Sequence, residues 1–269
     1  MSELINGKVY SDYRDNIIID KNNVILAMKA SRDRYDGTRE QLKSYAGLSM
    51  LGSIKSEDAL SWNYFRSMEL NSDFSSLEDL LKIKIENPQI LYWTFSTKEE
   101  NSDLQYHCGR ILRKYDGSID SKQMTEPDII IKTKDYMIFI ECKLGEKKSS
   151  SNHLWETNNS AGPKVREKIY FSNDLFIGKE GYYDDAYQLY RMAFFAEKLA
   201  MQFDIKPFLV SLANKTWWND ERPEKPKIIW DSFCKQVNQK KIQLKSLFWQ
   251  DIKTSGTFLD YLSKLKYLK

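Results

Sequence analysis

Long apolar runs are missing from this sequence of 269 residues, and no stretch approaches the ~20 apolar residues that a membrane span needs. The opening MSELINGKVY likewise lacks the apolar segment of a secretory leader, so the expectation is a cytoplasmic protein that does not engage membranes. Cysteine is scarce too. Cys108, Cys142 and Cys234 are an odd number at wide spacing, and only His107 and His153 accompany them. No CxxC or Cys/His pattern arises, which excludes a disulfide scaffold and a structural zinc site. Pro, Gly and Ser form no linker that divides the chain, and no internal repeat is visible. With 41% hydrophobic and 29% charged residues, the composition is that of a folded chain with a sizeable core. One elaborated domain spanning 1–269 is expected, with a core over about 56–215, an extension over 1–55 and a basic segment over 222–269.

Net charge is +3 overall, but it is unevenly spread. From Arg222 to Lys269, 11 Lys and Arg stand against 4 Asp and Glu, a local +7, so residues 1–221 carry −4. Such a segment can track phosphates or simply form a solvated basic face.

Local patterns suggest an α/β order. Ile17–Ile19 and Val24–Met28, around the polar Asp20–Asn23, read as a small N-terminal β-hairpin. Thr38–Met50 reads as a short helix. Ser56 sits at an N-cap position before Glu57-Asp58-Ala59-Leu60, and Leu60, Trp62, Phe65 and Met68 supply the apolar side of a helix. A third helix near Leu77–Ile85 stops ahead of Asn87-Pro88. Ile90–Phe95 and Leu104–Leu112 read as strands. The continuous runs Ile129–Ile131 and Met137–Ile140 read as central strands buried on both faces. Residues 145–163 read as a loop, Ala186–Met201 as a helix, Pro207–Leu212 and Ile242–Trp249 as strands, and Thr257–Leu268 as a terminal amphipathic helix.

Charged residues closing a buried strand call for a reason, and Glu141-Cys142-Lys143 closes the second run. Side chains alternate along a strand, so Glu141 and Lys143 share one face and Cys142 takes the other. If Lys134-Asp135 forms a two-residue hairpin turn, paired positions sum to 269 and Asp128 lies opposite Glu141. Their Cβ atoms would then be roughly 4.5–5.5 Å apart. Like charges so placed repel, and a hard divalent cation between them removes that cost. A three-residue turn would instead pair Asp128 with Ile140.

Pro127-Asp128 with Glu141-x-Lys143, on two strand-like runs flanked by helices, resembles the active-site pattern of the PD-(D/E)XK nuclease superfamily. The resemblance covers about residues 56–215. It implies a restriction-endonuclease-like mixed central sheet flanked by helices, with the N-terminal hairpin and the basic C-terminal segment as decoration. It also implies a Mg²⁺-dependent nuclease, with Mn²⁺ as a substitute, acting on DNA as a restriction- or defence-type endonuclease. RNA cleavage rests on the same chemistry, and an inactive nucleic-acid-binding module of the same fold is the alternative from another class. Restriction-type relatives often form homodimers.

By the same resemblance Asp128 and Glu141 bind the metal, with the backbone carbonyl of Cys142 as a further ligand. Lys143 orients the attacking water and stabilises charge at phosphorus. The family's helix-borne acid is Glu57 or Asp58, with Asp58 preferred because positions 58, 62 and 65 form one stripe. Gln188, on the helix after the Glu-x-Lys strand, takes the place of a glutamine common in the family, and Arg191 follows on the same helical face. Lys147, Lys148, Lys240, Lys241 and Lys245 join Arg191 as candidate nucleic-acid contacts.

Overall fold

The computed structural model describes residues 3–4, 7–8, 16–24, 51, 56–96, 98–116, 127–144, 169–172, 174–178, 186–218 and 226–253. Two minimal strands, β1 (Glu3–Leu4) and β2 (Gly7–Lys8), pair antiparallel near the N-terminus. The hairpin expected at 17–28 is not found over the described residues 17–24, where 17–20 are irregular and 21–24 form a helical turn; residues 25–28 lie outside the described residues. Polar groups explain the difference. Asn16 and Ile17–Asp20 fold onto a helix and spend their hydrogen bonds there, rather than on a partner strand.

That helix is α1 (Glu57–Asn71), started by Ser56, whose Oγ accepts from the Ala59 N–H at 3.1 Å. It is buried on nearly every side because residues 16–20 cover its outer face. Asn63 Nδ2 donates to the Asn16 carbonyl at 2.9 Å, Ile18 N donates to Asn63 Oδ1 at 3.0 Å, and Trp62 Nε1 donates to the Ile19 carbonyl at 3.0 Å. Arg66 Nε donates to Asp20 Oδ2 at 2.7 Å, so a buried guanidinium has its counter-charge. α2 (Ser75–Leu81) follows and ends earlier than its apolar pattern suggests, at Lys82 with φ 60°.

The central sheet has the order β3 (Gln89–Tyr92), β4 (Ile129–Lys132), β5 (Tyr136–Lys143), β6 (Lys206–Ala213), β7 (Gln243–Phe248). β3, β4 and β5 run antiparallel in turn, whereas β5, β6 and β7 are parallel, so the sheet is mixed. The β4–β5 turn is the two-residue one. Lys132 pairs with Met137 and Ile129 with Ile140, and the Tyr136 N–H is held by Thr133 Oγ1 at 2.9 Å. The register expected from the sequence is therefore the observed one.

Between β3 and β4 lies α3 (Ser102–Asp116), where Leu104–Leu112 suggested a strand. The burial of Leu104, Cys108, Ile111 and Leu112 follows a spacing of three to four, which is helical, and the polar residues between them face outward. α4 (Tyr187–Phe203) links β5 to β6, followed by α5 (Lys215–Trp218) and α6 (Pro226–Gln236). Period-two alternation divides the core. Ile129, Ile131, Ile138, Ile140, Val210 and Leu212 pack with α1 on one face, and Ile130, Met137, Phe139 and Leu209 pack with α3, α4 and α6 on the other. The expected helix at 38–50, loop at 145–163 and helix at 257–268 lie outside the described residues. No described helix is long and apolar enough to cross a membrane.

Candidate active site

The site lies where β5 ends. Glu141 and Lys143 continue the face of Met137 and Phe139, beneath α4, while Cys142 points into the α1 core. Glu141 is 1% exposed. Its Oε1 accepts from Lys143 Nζ in a short ion pair and from Gln188 Nε2 on α4 at 2.6 Å. One carboxylate is thus gripped by a cation from its own strand and an amide from the covering helix. Hydrogen bonds to charged groups are worth about 1.5–3 kcal/mol each, enough to fix its rotamer.

Asp128 stands one residue before β4, level with Glu141. Its carbonyl accepts from the Trp93 N–H at 3.1 Å and its Oδ2 from the Cys142 N–H at 2.6 Å. Burial, and then the negative charge of Glu141, hold its carboxyl well above the usual carboxylate range, against the pull of Lys143. Lys143 shows the complement. Burial alone would lower its pKa, but Glu141, Glu57 and Asp128 together raise it well above the ordinary lysine value, so the ammonium stays charged.

Both candidate acids of α1 reach this end of the sheet, on different sides. Glu57 Oε1 accepts from the Leu144 N–H at 3.0 Å, and its other oxygen is 3.8 Å from Lys143 Nζ. Asp58 Oδ1 accepts from Trp93 Nε1 at 3.1 Å, and its charge adds to that acting on Asp128. Asp58 thus belongs with the Asp128 side and Glu57 with Lys143.

Trp93 and Ser211 escaped the sequence reading. Trp93 and Thr94, at φ 47° and 70°, close a tight turn between Tyr92 and Phe95, whose backbones bond reciprocally at 2.7 and 2.8 Å. Both central positions are left-handed, a conformation that usually selects Asn-Gly and costs ordinary residues about 1–2 kcal/mol each. The strained turn aims Trp93 at two acids at once, and its indole stacks on Trp62 with centroids 6.1 Å apart. Nothing local announces it. Ser211 pairs with Glu141 in the parallel β5–β6 register, is fully buried, and its hydroxyl has no hydrogen-bond partner among the described residues. A lone serine in the apolar run Phe208–Ala213 was the available signal.

Arg191 is also brought here, one turn beyond Gln188, but it is 1% exposed with its guanidinium 5.8 Å from the Phe195 ring centroid. It belongs to the buried floor rather than to an open surface. The C-terminal lysines are not brought in. β5, β6 and β7 are parallel and all end at the site, so Lys240 and Lys241, which precede β7, lie at the opposite edge of the sheet. Lys241 is ion-paired with Asp174 there, and Lys245 is exposed halfway along β7. Lys147 and Lys148 lie outside the described residues.

Among the described residues no three His, Cys, Asp or Glu side chains form a ready-made cage for a metal ion. The donors on offer are two crowded carboxylates, Asp128 and Glu141, with hard oxygens suited to Mg²⁺, which takes one or two carboxylates and keeps several waters. Burial and the charge of Glu141 disfavour the ionised form of Asp128, a penalty that a bound cation would offset, so the residues fit such an ion. The Cys142 thiol, packed on the other face, is no part of that set. The chain matches no protein-family model, no curated protein and no solved structure.

Proposed function

We propose that this protein is a Mg²⁺-dependent nuclease of restriction-endonuclease-like fold, resembling the PD-(D/E)XK superfamily and hydrolysing phosphodiester bonds of DNA. The observation that carries the reading is the meeting of Asp128, Glu141 and Lys143 at one strand end, with Gln188 clamped on Glu141. A structural ion pair would need only Lys143 and Glu141. A second, half-buried carboxylate beside them is a cost that a folded domain gains nothing from, unless something positive is meant to enter.

Asp128 and Glu141, with the Cys142 carbonyl, would hold the ion, which when bound supplies a water of lowered pKa and polarises the scissile phosphate. The remaining work falls to the chain. Gln188 and the Cys142 N–H fix the two carboxylates, each by one hydrogen bond. Lys143 stays protonated and offers an ammonium to the attacking water and to the charge that develops at phosphorus. Preorganised donors of this kind are typically worth 10²–10³ in rate. Trp93, whose indole donates to Asp58, braces the Asp128 backbone from the other side. RNA presents the same phosphodiester, so the choice of polymer rests on contacts away from the reacting phosphate.

The test is nicking of supercoiled plasmid with Mg²⁺ or Mn²⁺, comparing wild type with Glu141→Gln and Lys143→Ala. Cleavage by wild type and its loss in both variants support the reading. A wild type that binds nucleic acid yet never cuts it leaves the inactive binding module in its place.

A further inference from the structure

An open groove of about 460 Å³ runs between the segment that follows the turn after β3 and one face of α3. Its walls include Ser96, Lys98, Gln105, Tyr106, Gly109 and Arg113. That volume falls within the range of about 300–1,000 Å³ typical of small-ligand sites. The wall is ordered from within: the Ser96 N–H donates to Gln105 Oε1 at 3.0 Å and its hydroxyl accepts from Asn101 Nδ2 at 2.8 Å.

Two features of this groove point to a ligand with a flat ring and one negative charge. Tyr106 is 60% exposed, a large aromatic surface left bare on an otherwise polar helix face. Arg113 lies folded back along α3, so that a methyl group on Gly109 would sit 3.4 Å from its Nη1. Gly109 is three residues from Tyr106, about 4.5 Å along the axis, so ring and guanidinium are neighbours at a spacing that a ribose can bridge. Arg113 has no ion-pair partner among the described residues, whereas Lys98 is committed to Glu69 at 3.2 Å, and Glu99 on the rim adds negative charge. One uncommitted cation suits one phosphate, not the dense phosphate track of a duplex.

We infer that this groove binds a single unpaired nucleotide of a polynucleotide strand, its base stacked on Tyr106 and its phosphate on Arg113. A base can reach an aromatic face only when it is outside a duplex. The inference rests on the nuclease reading for its biological sense. Its physical content stands apart from catalysis.

The experiment is fluorescence anisotropy of the full chain with short labelled oligothymidylate and oligouridylate, and with a duplex control, in EDTA so that no cleavage intervenes. Tyr106→Ala is expected to weaken single-strand binding about 5- to 150-fold, the range that one base–aromatic stack supplies, while Tyr106→Phe keeps it. Arg113→Ala should lower the slope of log K against log salt by about 0.7, one phosphate contact on a single strand. Both side chains are exposed, so the variants fold. Wild-type affinity in Tyr106→Ala and Arg113→Ala, equal losses on single strand and duplex, or no oligonucleotide binding by wild type each overturn the inference. Groove-dependent binding without any plasmid cleavage sinks the nuclease reading and keeps the groove. Cleavage with a silent groove does the reverse. The deoxy and ribo probes tell which polymer it prefers.

Discussion

Neutralising one acid at the site should make the metal-free protein more stable while disabling it. Asp128→Asn keeps an oxygen for the Cys142 N–H, which now donates at 2.6 Å, and removes the charge that faces Glu141. Directly opposed antiparallel side chains stand about 5 Å apart, where two unit charges repel by about 3 kcal/mol at an effective dielectric of about 20. Lys143 already offsets part of that, which leaves an expected gain of about 1–2 kcal/mol. At about 2–4 °C per kcal/mol for a chain of this size, Tm measured in EDTA at pH 7 should rise by about 2–8 °C. The sign follows from the pKa. Because the folded carboxyl lies above its unfolded value of about 4, the native state binds the extra proton in that window. Wild-type stability therefore falls as pH climbs from about 4 through the raised pKa, and Asp128→Asn flattens this slope. Calorimetry across that range, with and without Mg²⁺, measures both effects. Added Mg²⁺ should raise the wild-type Tm by preferential binding to the folded state and leave the variant unmoved. A variant that is less stable than wild type in EDTA, or a wild type indifferent to Mg²⁺, would mean that the two carboxylates do not crowd each other and the site reading is mistaken.

Other substitutions probe the same geometry. Gln188→Leu removes the 2.6 Å hydrogen bond to the buried Glu141, so plasmid cleavage should fall roughly 10- to 100-fold and Tm by roughly 3–12 °C, and an unchanged rate would deny Gln188 a positioning role. Lys143→Ala strands a buried Glu141 and should cost about 3–5 kcal/mol in urea denaturation, most of it restored in the Lys143→Ala/Glu141→Gln double variant. Trp93→Phe keeps the stack on Trp62 but loses the indole donor to Asp58, so cleavage should drop while the fold loses about 1 kcal/mol. Charge reversal at Lys240 and Lys241, at the far edge of the sheet, should leave cleavage of short duplexes unaltered; a marked loss would place the substrate across the β7 edge.

The β4–β5 hairpin was legible because its apolar runs are continuous and its turn is short, so that register followed from counting and set Asp128 level with Glu141. α1 was legible from Ser56 and the spacing of Leu60, Trp62 and Phe65. Leu104–Leu112, expected as a strand, is a helix whose apolar residues recur every three or four positions, a period that Tyr106 and Gly109 interrupt. Trp93 was illegible for a different reason. Its role depends on a left-handed turn made from two residues that do not favour one, and on tertiary contacts to Asp58, Trp62 and Asp128. The basic C-terminal segment shows the limit of counting charge along a chain: Lys240 and Lys241 precede β7, at the end of that strand away from the site, which the parallel pairing of β6 and β7 reveals.

The most direct test is a crystal grown with Mn²⁺ and examined at the metal's anomalous edge. A single peak within coordination distance of both the Asp128 and Glu141 carboxylates, absent in Glu141→Gln, is the predicted outcome. No anomalous peak at these carboxylates, at Mn²⁺ concentrations that support plasmid cleavage, would contradict it.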